Sequence, residues 1–81
     1  MARRTRTKQH LALTSVLRAT RVEKGLTQRQ LAAKLGRSEN FINKVETGER
    51  HLRFTDFFLI AEALDLEPTL LFTRVANWNK S

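Results

Sequence analysis

Gly25-Leu26-Thr27-Gln28-Arg29-Gln30-Leu31-Ala32-Ala33-Lys34-Leu35-Gly36-Arg37-Ser38-Glu39-Asn40-Phe41-Ile42-Asn43-Lys44-Val45-Glu46-Thr47-Gly48 is the stretch whose local signals decide the fold. Thr27 can cap a helix, Gln30 stands where a capping box needs a glutamine or glutamate, and Leu26 and Leu31 occupy the two positions of a hydrophobic staple. Three devices therefore agree on a helix start at Thr27. Leu31, Ala32 and Leu35 then face inward, with Ala32 small enough to let a neighbouring helix approach, and Gly36 ends the helix. Ser38 caps a second helix that runs to about Thr47 and stops at Gly48. On a helical wheel Phe41, Ile42 and Val45 gather on one side, while Asn40, Asn43, Lys44 and Thr47 gather on the other. One face is built for burial and the other for hydrogen bonding. Glu46 lies at their boundary, where a charged residue needs a partner.

Outward from this pair, Leu13, Val16 and Leu17 recur at helical spacing between about His10 and Lys24, which predicts an amphipathic first helix ending at Gly25. Past the loop 49–53, the segment Phe54 to Leu64 carries Phe54, Phe57, Phe58, Ile60, Ala61 and Leu64. That is too apolar for an exposed helix, so this fourth helix is expected to close the core. Asp65 turns the chain, Leu66 returns to the interior, and Pro68 suits the first position of a fifth helix reaching about residue 74. Leu70, Leu71 and Phe72 in succession exceed what one side of a short helix can bury, and part of them is expected at a subunit interface. Trp78 either covers the domain's own core or anchors an interface. The resulting division is a basic arm over 1–9, a helical domain over 10–74 and a tail over 75–81.

Composition narrows the partners. The chain has 81 residues, 41% of them hydrophobic, enough for one domain with a modest core and too few for an enzyme with a deep pocket. It contains no cysteine, so a reducing, cytoplasmic setting is expected, and His10 and His51 are read as two solvated histidines rather than metal ligands. A net charge of +7 calls for an anionic partner, for which duplex DNA, RNA and a membrane surface compete. No run is apolar enough to span a bilayer, and the basic N-terminus lacks the apolar segment of a signal peptide. Arg3, Arg4, Arg6 and Lys8 crowd the arm, which is expected to be disordered when unbound. Two readings of it stand: an arm that tracks phosphates or enters a minor groove, and a solvated tail.

Thr27-Gln28-Arg29-Gln30-Leu31-Ala32, Leu35-Gly36, Ile42-Asn43-Lys44-Val45-Glu46-Thr47-Gly48-Glu49-Arg50 and Ile60-Ala61-Glu62-Ala63-Leu64, in this order and spacing, resemble the Cro/C1-type (XRE-like) helix-turn-helix family. The likeness extends over about residues 13–72. It implies an all-α fold, a compact five-helix lambda-repressor-like domain whose helices 2 and 3 form the DNA-binding unit. It further implies a transcriptional regulator, a repressor, binding a palindromic operator as a homodimer with helix 3 in the major groove. Position by position, the resemblance makes Gln28 a phosphate contact at a helix N-terminus. Glu39, Asn40 and Lys44 take positions that read base edges, with Arg37, Ser38 and Asn43 as neighbouring contacts to phosphate or base. The chemistry agrees: asparagine can bond adenine N6 and N7, lysine can donate to guanine O6 or N7, and a carboxylate can accept from cytosine N4. For Glu39 a second reading stays open, since an acidic residue in a first turn also favours the helix dipole. The family pattern also pairs Arg21 with Glu46 as a structural ion pair between helices 1 and 3. Leu52-Arg53 departs from the family, where many members carry Pro followed by Ser or Thr, so the start of helix 4 is open by a residue or two. The self-cleaving module of some phage repressors is absent from these residues, and induction by autoproteolysis is not expected.

A different class uses the same domain type with a protein partner: the antitoxin of a toxin–antitoxin pair, or the controller protein of a restriction–modification system. Leu70 to Trp78 is the contact region that such a partner would use. A nonspecific RNA- or chromatin-binding role needs charge alone, and Asn40, Asn43 and Lys44 argue against it. Enzymatic activity finds no motif: there is no phosphate-binding glycine loop, no G-x-S-x-G and no H-E-x-x-H. No cofactor and no metal are implied.

Overall fold

The computed structural model describes residues 7–78. Among them the chain forms five helices and no strand: α1 Lys8–Glu23, α2 Gln28–Leu35, α3 Glu39–Thr47, α4 Phe54–Ala63 and α5 Pro68–Ala76. The expected all-α architecture is the observed one. α1 packs against α3 and α5, α2 against α3 and α4, and α4 against α5, which leaves the α2–α3 pair on one side of the domain.

The local signals act as read. Thr27 Oγ1 accepts from the Gln30 N–H at 3.0 Å, and Gln30 Oε1 accepts from the Thr27 N–H at 2.8 Å, so the capping box is closed in both directions. Ser38 Oγ accepts from the Phe41 N–H at 3.2 Å at the start of α3. Gly36 and Gly48 both take left-handed φ, 69° and 87°, where a side chain is disfavoured, and each closes the helix before it. Asp65 is the non-glycine residue with positive φ (59°) among the described residues, and it makes the turn expected between α4 and α5.

The core gathers Val16 and Leu17 from α1, Leu31 and Ala32 from α2, Phe41, Ile42 and Val45 from α3, Ile60 and Ala61 from α4, Leu64, and Leu71 from α5. Leu13, Leu26, Leu35, Leu52, Leu66 and Trp78 pack on it from its edges. Trp78 thus covers the domain's own core, beside the α1–α5 seam where Arg74 Nη1 donates to Glu23 Oε1 at 2.9 Å.

Several boundaries and burials differ from the sequence expectation. α1 begins at Lys8, not near His10, because Thr7 supplies a cap by accepting from the His10 N–H at 3.0 Å. Lys8 therefore belongs to the helix, while Arg3, Arg4 and Arg6 lie outside the described residues. α4 starts at Phe54 without the family's Ser or Thr cap; the Asp56 carboxylate accepts from the Arg53 N–H at 3.3 Å, which supplies the other half of a capping box from inside the helix. The expectation that α4 is too apolar for exposure and closes the core is only partly met. Ile60, Ala61 and Leu64 are buried, but Phe54 is 76% exposed and Phe58 43%. Of the two histidines read as solvated, His51 is exposed but His10 is not. His10 is buried, its Nε2–H donates to the Gly48 carbonyl at 3.1 Å, and its ring meets that of His51 edge-on at 4.5 Å.

Candidate nucleic-acid interface

α3 is held by its inner face and offers its outer one. Phe41, Ile42 and Val45 are 7%, 2% and 2% exposed, whereas Ser38, Glu39, Asn40, Asn43, Lys44 and Thr47 are all exposed. The structure therefore brings Ser38, Glu39, Asn40, Asn43 and Lys44, five of the seven residues singled out as contacts, to one surface beside Gln28 at the start of α2, and sets Arg37 at its margin.

Glu46 fixes how α2 and α3 cross. Its carboxylate receives Arg21 Nε at 2.7 Å and Arg21 Nη2 at 3.1 Å, a two-pronged pair whose side chains are 10% and 4% exposed. Arg21 Nη1 also donates to the Leu26 carbonyl at 2.7 Å, which ties the chain just before α2 to α1. The ion pair expected from the sequence is thus present. Gln28 joins it: its side-chain amide donates to Glu46 Oε1 at 3.0 Å and lies 3.5 Å from Asn43 Oδ1. The amide of Gln28 is turned inward, and its backbone N–H sits in the first turn of α2, where N–H groups point out of the helix end.

The charged side chains of this face are arranged in pairs. Arg29 Nε lies 3.7 Å from Glu39 Oε1, and Lys44 Nζ lies 3.8 Å from Glu49 Oε1. Arg37 is engaged differently. Its guanidinium stacks 3.8 Å above the Phe41 ring, and its Nη1 stands 3.6 Å from Asp56 Oδ1, a carboxylate only 6% exposed. Arg50 approaches the same ring at 4.9 Å. Arg37 is thus partly a strut between the α2–α3 turn and α4, with a third of its side chain left open.

Arg29, Glu49, Arg50 and Asp56 were not singled out from sequence. Some signal existed: Arg37 and Phe41 are four apart, a spacing that allows contact, and an acid three residues after Arg53 is the second half of a capping box. Nothing local announces that Arg50 returns to Phe41. Among the described residues no helix is long and apolar enough to cross a membrane, and no three histidine, aspartate or glutamate side chains form a group that could hold a metal ion.

A family model described as helix-turn-helix matches residues 17–71. Solved structures similar to this chain include an XRE-family-like protein from Pseudomonas syringae pv. tomato str. DC3000, 32% identical with a TM-score of 0.78, covering 84% of this chain and 83% of that one. The restriction-modification controller protein C.AhdI from Aeromonas hydrophila is 35% identical with a TM-score of 0.73, over 78% of this chain and 91% of its own. The restriction-modification controller protein C.Esp1396I is 25% identical with a TM-score of 0.82, over 88% and 93%, and is known also as a tetramer in complex with its natural 35 base-pair operator. Comparison with curated proteins gives no significant match.

Proposed function

Because the chain belongs to the Cro/C1-type (XRE-like) helix-turn-helix family of DNA-binding transcriptional regulators, we propose that it represses transcription by binding a palindromic operator as a homodimer, with α3 in the major groove. The observation that carries this reading is the division of α3, with Asn40, Asn43 and Lys44 exposed above Phe41, Ile42 and Val45 packed in the core. Asn40 and Lys44 read base edges, the first suited to adenine and the second to guanine. Glu39 faces the same groove under Arg29. The phosphate contact of Gln28 falls to its backbone N–H, since its amide is engaged with Glu46. Ser38 and the open edge of Arg37 meet the backbone beside α3, and Asn43 reaches either backbone or base. His10 fastens the first turn of α1, which holds Lys8, to the end of α3, and Lys8 together with Arg3, Arg4 and Arg6 of the preceding arm adds phosphate or minor-groove contacts. The protein works in the cytoplasm, without a cofactor.

A homodimer supplies the contacts that one domain lacks, doubling them across half-sites a helical turn apart. The α4–α5 face supports it: Phe54, Phe58 and Phe72 are 76%, 43% and 62% exposed around a groove of about 370 Å³. An aromatic face of this kind is what an interface between two copies requires. Selection of bound sequences from a random duplex pool tests the whole proposal; a symmetric pair of half-sites is expected, and recovery of unrelated sequences overturns it.

The likeness to C.AhdI and C.Esp1396I favours a second reading, in which the regulator is the controller of a restriction-modification system. A neighbouring restriction-enzyme gene would support it. A neighbouring toxin gene would point instead to an antitoxin whose protein partner takes the apolar face.

A further inference from the structure

Glu49 occupies a position that is unfavourable twice over. The left-handed turn at Gly48 folds the chain back on α3, so that the Glu49 N–H donates to the Lys44 carbonyl at 2.9 Å. This closure fixes a carboxylate, 62% exposed, at the C-terminal end of α3, where the helix dipole favours cations. DNA lying along the same helix repels it as well. Glu39, the other carboxylate of this face, is in a first turn, where the dipole favours it. Glu49 has no such reason to be there. Its contacts are with the end of the reading helix: Lys44 Nζ at 3.8 Å from Oε1, and the Thr47 hydroxyl at 3.3 Å from Oε2.

Building on the base-reading role proposed for α3, we infer that Glu49 is a specificity-determining residue that cancels the charge of Lys44 toward phosphate while leaving it able to bond a guanine edge. An ammonium carries three donors, and an ion pair at this distance leaves donors open. On a wrong sequence the protein is held by phosphate attraction, which grows with the number of uncompensated cations. Paired with Glu49, Lys44 adds nothing to that attraction. On the right sequence guanine O6 and N7 take hydrogen bonds from Lys44 in the groove, and the carboxylate stays beside the ammonium. Glu49 thus weakens wrong complexes more than right ones, a repulsive element of the kind on which discrimination depends.

The test compares the duplex recovered by selection with a scrambled version at fixed salt, using the full chain. Glu49→Gln is expected to raise affinity for the scrambled duplex and to lower the ratio of selected to scrambled affinity by about two- to fivefold, the range of an exposed ion pair. On the scrambled duplex the slope of log affinity against log salt should steepen by about 0.9, one phosphate contact. In a Lys44→Gln background the same replacement should leave the ratio unchanged. An equal rise on both duplexes, no rise on either, or an effect that persists without Lys44 overturns the role of Glu49. A wild-type protein that binds both duplexes alike overturns the base-reading proposal itself.

Discussion

Three donors converge on the Glu46 carboxylate, two from Arg21 on α1 and one from Gln28 on α2. The pair is almost dry, so removing one partner leaves a buried charge uncompensated. Glu46→Ala is expected to destabilise the domain by about 3 kcal/mol, as for other broken buried pairs, and urea unfolding measures it. A loss within the roughly 0.5 kcal/mol typical of surface changes would show that water replaces the carboxylate. The same substitution also frees the Gln28 amide. At the opposite extreme stands Asn40, exposed and one residue into α3. Asn40→Ala should leave stability within about 0.5 kcal/mol of wild type, yet weaken binding by about 1–3 kcal/mol at one base pair of the half-site. Repeating the duplex selection with the variant should show relaxed preference at that position alone.

At the level of helices, the turn between α2 and α3 depends on a backbone conformation more than on contacts. A methyl group added at Gly36 meets nothing within 4 Å, but φ is +69°. Gly36→Ala is therefore expected to cost about 1–2 kcal/mol through backbone strain alone, with Gly36→Asn milder; thermal unfolding distinguishes them. Such signals are local, and they made the central helices legible in sequence: Thr27 with Gln30, Ser38, Gly36 and Gly48 each act on residues within a turn of themselves. Glu46 was legible because the wheel placed a charge at a core boundary and the family pattern supplied Arg21. What stayed hidden depends on how distant segments meet. The edge contact of His10 with His51 and the approach of Arg50 to Phe41 have no periodicity to betray them. α4 shows the same limit, since counting apolar residues cannot tell a helix that fills a core from one that also serves a second surface.

Across the whole molecule, the exposed polar residues of α3 and the aromatic face of α4 and α5 lie on separate elements, so the proposed association and DNA contact can be perturbed apart. Phe72→Glu is expected to yield a monomer by sedimentation, with folding stability within about 0.5 kcal/mol of wild type, because the ring is 62% exposed in the single domain. A variant that still sediments as a dimer would place the contact elsewhere. The division of α3 has one more consequence. Since Phe41, Ile42 and Val45 carry the packing, the base-reading role proposed for Glu39, Asn40 and Lys44 makes them an exchangeable set: rewriting them for a new operator would not require rebuilding the scaffold. Glu49 has to be chosen together with Lys44, and Asn43 is tethered to the brace through Gln28. With the base-reading role proposed for α3, retargeting this domain is a matter of a few surface letters, of which Glu39, Asn43 and Lys44 come with partners attached.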